Sequence, residues 1–327
     1  MIELRISKRL LSNREIQNLK MAKKVFVSYN HKQIEWVKSR LIPCLTAGGA
    51  DILVDYKEFG AGRTVIGQMD STQDKADIHL LVLTTEYLNS TYCQHEMNRA
   101  IDLDPDFQKG IVVPVLRASC ELPDRLAGQK MPIYVDLKND TDNAQWDRLL
   151  KSCEAYLGIS ASNWLKVRDE VCRYIERGIS VNMVTYGRVK WRELLEHIRK
   201  DYFNDFGIID VEDPRVTTRK ALVEEILKQC GTHTIVSKKA GEDLVTLGRV
   251  ISVKTSPSRL IIKHFHEVIC RRYYDNELFS SLRYLMTESQ KLVLLIQSRK
   301  PYAEILPDDN PLSSVTNLKV VELRGDV

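Results

Sequence analysis

Across roughly the first 140 residues, short apolar runs alternate with stretches in which apolar side chains return every three or four positions, the signature of strands interleaved with helices. Val25–Tyr29 lies in KVFVSY, a β-branched and aromatic run suited to a central parallel strand. Ile34, Trp36, Val37, Leu41 and Leu45 follow at near-helical spacing, and Gly48 with Gly49 stops that helix. DILVD, Asp51–Asp55, predicts a second strand ending in an acid. A loop rich in glycine and charge, KEFGAGRT, and a helix over 65–73 come next. Ile78–Thr84 predicts the third strand, Ser90–Ile101 a helix, Gly110–Val115 the fourth strand and Pro132–Asp136 the fifth. Strand–helix alternation of this kind predicts a doubly wound parallel α/β sheet with right-handed crossovers. In a flavodoxin-like order 2-1-3-4-5, strands one and three flank the switch point. Ser28–His31, Asp55 with its loop, and Thr84–Glu96 then converge on one crevice.

The stretch STYCQHEMNRAI, Ser90–Ile101, carries the most chemistry. Thr91 with Gln94 has the form of a capping box, and Cys93, Met97, Ala100 and Ile101 recur as a buried stripe, with Tyr92, Glu96 and Arg99 assigned to another face. A carboxylate in the first turns of a helix that opens after a buried strand stands where α/β sheets bind ligands, which makes Glu96 the first candidate for chemistry. The alternative is a solvated glutamate paired with Arg99, and spacing alone favours it.

The second half alternates again. After Leu157–Gly158, ISASNW reads as a linker and Trp164–Arg177 as an amphipathic helix. Ser180–Tyr186, Gly207–Val211, Arg259–Ile262, Lys291–Gln297 and Val320–Leu323 are strand candidates, with helices at Trp191–Phe203, Thr218–Cys230 and Phe279–Met286. The expected division is an arm over 1–23, a first domain over 24–157 and a second α/β domain over 158–327, a length that lets each bury its own core.

Composition removes several classes. Lys and Arg number 48 against 44 Asp and Glu, a formal +4 spread along the chain, which argues for no nucleic-acid partner. Seven cysteines without a CxxC pair, and no histidines at metal spacing, predict reduced thiols and no metal site. Of these, Cys93, Cys172 and Cys270 read as core packing. No apolar run reaches a membrane span and no signal-peptide pattern opens the chain, so the expectation is a cytoplasmic protein with no membrane partner.

VFVSYNHKQIEWV, DYKEFGAGRTVIGQM and ADIHLLVLTTEYLNSTYCQHEM together resemble the successive boxes of a bacterial Toll/interleukin-1 receptor (TIR) domain of the NAD-cleaving type, over roughly residues 23–157. The resemblance places Ser28 and Tyr29 at the first box, Asp55 to Arg63 at the BB loop and Glu96 at the glutamate of the NAD-cleaving members. Tyr92 stands where many such enzymes have an aromatic, often Trp, before the cysteine. It implies NAD+ as substrate with no cofactor. Glu96 would be the catalytic residue and Ser28, Tyr29, Asp55, Phe59, Arg63 and Tyr92 would bind substrate. It also implies activation by self-association of TIR domains. One carboxylate suffices chemically, because nicotinamide leaves a pyridinium as a neutral molecule and needs no general acid, unlike the leaving groups of ordinary glycosidases. The second half is similar to the core of AAA/STAND-type P-loop NTPases, but YGRVKWREL lacks the G-x-x-x-x-G-K-[ST] cradle and RLIIKHFHEV has Lys263 and His264 where a Walker B acid would stand. A degenerate P-loop-like domain that receives a protein or nucleotide signal is the expectation.

Three functions therefore compete: an NAD+ hydrolase serving antiphage defence and activated by oligomerisation, a non-catalytic TIR scaffold in signalling, and an NTPase whose TIR domain recruits partners. Glu96 in its motif favours the first over the second, and the broken Walker motifs count against the third.

Overall fold

The computed structural model describes residues 22–53, 71–127, 131–232 and 241–325. Among them, no helix is long and apolar enough to cross a membrane. The described chain falls into two compact units. One runs to Asn139 and takes in Arg148–Tyr156, and the other comprises Asp140–Asp147 and the chain from Leu157 onward.

The first unit is built on a five-stranded sheet in the order β2-β1-β3-β4-β5, parallel throughout. Its strands are β1 (Lys24–Tyr29), β2 (Asp51–Leu53), β3 (Ile78–Leu83), β4 (Val112–Leu116) and β5 (Val135–Asp136). All six side chains of β3 are buried, as a strand covered on both faces requires, and each large one contributes about 1.5–3 kcal/mol over exposure. Residues 31–48 are helical, with one π-type turn at Val37–Leu41. That helix ends where Gly49 takes a left-handed φ of 102°, open to glycine at no steric cost. The fifth strand is shorter than the Pro132–Asp136 expectation because only Val135 and Asp136 pair with β4.

The second unit is a further parallel five-stranded sheet, in the order β10-β6-β9-β8-β7. Its strands are β6 (Ser180–Tyr186), β7 (Phe206–Asp210), β8 (Ser258–Lys263), β9 (Leu292–Ser298) and β10 (Leu318–Arg324). Counted within the unit this is 5-1-4-3-2, the P-loop-like α/β arrangement expected. Its core gathers β7–β9 with the helices Arg219–Gln229, Glu242–Ser252 and Asn276–Thr287. Gly207 lets the first of these helices press onto β7, since a Cβ there would lie 2.5 Å from Gln229 Cβ. Two expectations are corrected. The supposed linker ISASNW is already helix from Ala161, because Ala161, Trp164 and Leu165 bury the first apolar turn. Cys270 is exposed at the end of a 3-10 turn, whereas Cys93 and Cys172 are buried.

Candidate active site

β1 delivers Ser28 and Tyr29 to the carboxyl end of the first sheet, level with Leu81 and Val82 of β3. Asn30 then ends the strand: its Oδ1 accepts from Lys32 N at 3.1 Å and its Nδ2 donates to the carbonyl of Glu86 at 3.1 Å. On the β3 side, Thr84 caps a one-turn helix, Thr85–Leu88, by accepting from Tyr87 N. Ser90 caps the next helix, Thr91–Leu103, by accepting from Cys93 N. The capping box assigned to Thr91 is thus one residue late, and Gln94 instead donates to the carbonyl of Leu88.

These caps bring three side chains together. Ser28 Oγ donates to Glu96 Oε2, and the Tyr87 hydroxyl lies 2.7 Å from Ser28 Oγ. A serine has one proton to give, so with it committed to the carboxylate, Tyr87 donates to Ser28. Ser28 is 1% exposed, Glu96 4% and Tyr87 0%. Burial pushes the Tyr87 phenol well above its ordinary pKa and the charge of Glu96 raises it further, so Tyr87 remains a donor. Beneath them Gln73, fully buried, donates from Nε2 to the Glu96 carbonyl at 2.9 Å, while its Oε1 has no hydrogen-bond partner.

Glu96 is not the solvated glutamate of the alternative reading, and it does not lie on a face apart from the apolar stripe. It stands three residues after Cys93 and four before Ala100, so the 3.6-residue period sets it beside the apolar stripe. Arg99, its partner in that alternative, pairs with Asp74. Tyr29 ends β1 half-buried. Tyr92 is 53% exposed and takes no part in the cluster. Asp55, Phe59, Arg63 and the rest of the BB loop lie outside the described residues. Tyr87 and Gln73 escaped the reading of the sequence; the only local sign of Tyr87 is its place three residues after the capping Thr84. A separate cleft of about 610 Å³ is lined by Thr85, Gln94, Met97, Asn98, Cys120 and Leu122, and not by Ser28 or Glu96.

At the carboxyl end of the second sheet the chemistry is different. His264 has a left-handed φ of 53°; its N–H donates to Gln297 Oε1 at 2.9 Å, and Nε2 of the same amide donates to Thr185 Oγ1 at 2.9 Å. His264 Nδ1 is 2.7 Å from Asp210 and its Nε2 is 3.2 Å from an Arg192 nitrogen. Lys263 lies 3.2 Å from Asp210. Where a P-loop would follow β6, Gly187 alone takes a left-handed turn and Lys190 faces Glu193 at 3.6 Å.

Residues 25–150 match the family model of the TIR domain, a stretch that falls in the first unit except for Asp140–Asp147. Among solved structures, the TIR domain of the Toll-related receptor TRR-2 from Hydra magnipapillata is similar at 18% identity, over 40% of this chain and 97% of that one, with a TM-score of 0.35. Drosophila ORC bound to DNA is similar at 12% identity, over 50% of this chain and 92% of that one, with a TM-score of 0.40. The ADP form of ORC2 from Aeropyrum pernix gives 13%, 49%, 47% and 0.37 for the same measures. No curated protein matches the chain.

Proposed function

We propose that the TIR unit cleaves the nicotinamide–ribose bond of NAD+, with Glu96 as the catalytic residue. The observation that carries this reading is the carboxylate of Glu96, withdrawn from water and held by Ser28 at the β1/β3 switch point of a parallel sheet. In the reaction the C1′–N bond breaks, its electron pair leaves with neutral nicotinamide, and positive charge develops on the ribose. A fixed carboxylate in a poorly solvated setting stabilises that charge without having to reorganise. Water attacking C1′ gives up a proton, and ADP-ribose results. Ser28 and Tyr29 take the ribose and nicotinamide side; Asp55, Phe59, Arg63 and Tyr92 enter through the family resemblance, as a BB loop and rim that close over the dinucleotide. The same resemblance supports activation by TIR self-association, a role in antiphage defence, a cytoplasmic setting and control by a signal received through 158–327.

The test is incubation of the purified chain with NAD+ and chromatographic separation of the products, beside Glu96→Gln. Nicotinamide release in the parent and none in the variant is the expected result. Equal turnover by a folded Glu96→Gln protein would sink the mechanism. Absence of turnover at any protein concentration, with self-association intact, would favour the scaffold reading, which the engagement of Glu96 by its own chain also suits.

A further inference from the structure

We infer that Glu212, His266 and Glu267 of the second unit form a binding site for one divalent d-block cation of the zinc or cobalt kind. Each residue offers a ligand atom, and the three atoms lie within 4.8 Å of one another. The inference concerns a part of the chain that the NAD+ reading does not use.

His266 is the central observation. Its side chain is only 14% exposed, and neither Nδ1 nor Nε2 has a hydrogen-bond partner. A neutral imidazole carries one donor and one acceptor, and leaving both unmet is costly. An imidazole ligates metal through a ring nitrogen that carries no proton. Glu267 Oε1 lies 3.6 Å from Nε2, too far for a hydrogen bond and suited to two ligands sharing an ion.

The backbone around these donors is fixed. Arg271 donates from Nε and Nη2 to the carbonyl of Val211, which ties the Glu212 loop to the 3-10 turn Phe265–Cys270 that carries His266 and Glu267. Glu212 N donates to Asp210 Oδ1 at 3.1 Å. Asp210 and His264 stand next to the site without completing it. Arg192 has only protons to offer, so His264 Nε2 accepts and Nδ1–H donates to Asp210, with Glu212 Oε2 3.4 Å from the same nitrogen, which leaves neither nitrogen for a metal. One imidazole and two carboxylates form a borderline donor set that suits zinc or cobalt better than magnesium, which takes oxygen alone, with water filling the remaining positions.

The test uses the full chain, stripped with a chelator and titrated with Co2+ by calorimetry and visible absorption. One Co2+ per chain is expected, displaced by Zn2+, with affinity falling at least about tenfold in Glu212→Gln and in His266→Gln. Glu212 has a half-exposed side chain, so its variant leaves the fold intact and decides the matter if His266→Gln does not fold. The inference is overturned by absence of stoichiometric binding, by a folded variant of either kind that binds as the parent does, or by a thiolate-to-cobalt band that vanishes in Cys270→Ser.

Discussion

The two units present the same framework, the carboxyl ends of a five-stranded parallel sheet, and furnish it in opposite ways. In the first, a single carboxylate is held by one hydroxyl, which a second hydroxyl orients in turn, all three withdrawn from water. In the second, charges answer charges. Burial pushes the Asp210 carboxyl up, but hydrogen bonds from His264, the Glu212 N–H and Lys263 outweigh it and hold the group below its usual range. A charge compensated by neighbours has little field left for a ligand, whereas an enclosed one held by neutral donors keeps most of its reach, because the surrounding dielectric is low. Among the described residues, the second sheet end also lacks a run of glycine amides that would gather phosphate. The difference teaches that position in an α/β fold marks where chemistry is possible, and that burial and charge balance decide whether it occurs.

The contrast can be broken most sharply at Glu96. Glu96→Gln keeps the shape and removes the charge, and a loss of about 10²–10³ in kcat is expected, read as nicotinamide released per unit time. Tyr87→Phe deletes the hydroxyl that orients Ser28. A net hydrogen bond is worth about 0.5–1.5 kcal/mol, so kcat should fall up to about tenfold while KM for NAD+ holds, and a change confined to KM would give Tyr87 a binding role instead. Acid tests both cores at once. His79 and His197 are each held below the ordinary 6.5, first by burial, with Asp74 and Asp201 respectively pulling the other way. Because the unfolded chain takes up protons near 6.5 and the folded one resists, this stability is complete above that pH and is lost as pH falls toward the folded values. Calorimetric melting from pH 7.5 to about 5.5 should show the decline, and His79→Gln should flatten the first unit's share. An unchanged slope in that variant would remove His79 from the account. The smallest effect is a null. Lys190→Ala should leave NAD+ cleavage intact, and calorimetric titration of the parent with ATP and Mg²⁺ should give no binding, since Lys190 is paired with Glu193 and no phosphate cradle surrounds it. ATP turnover that disappears in Lys190→Ala would restore the NTPase reading.

Strand positions were legible because buried parallel strands write themselves as unbroken apolar runs: Ser180–Tyr186 forms the strand its sequence predicts, residue for residue. Helices without a clean stripe were not. Glu242–Ser252 carries Gly248 and four β-branched residues, and Asn143–Ser152 is short and largely polar, so neither was anticipated. At the candidate site, Glu96 was found through its motif and its place after β3, yet its burial was not foreseen. Tyr87 meets Ser28 across 59 positions and Gln73 meets Glu96 across 23, and no local period reports such partners. The metal-ligating group was hidden for the same reason, with Glu212 following β7 and its partners following β8.

Gln297 gives the second unit a built-in clock. Its side-chain amide holds the His264 N–H inside the protein, although that residue lies beyond the regular ladder of β8. Amides just past a strand ordinarily trade hydrogen for deuterium through small local openings. This one is held by the Gln297 side chain, and the other end of that amide is fastened to Thr185 on β6. The isotope uptake of a single backbone position therefore reports the release of one side-chain amide that spans β8, β9 and β6.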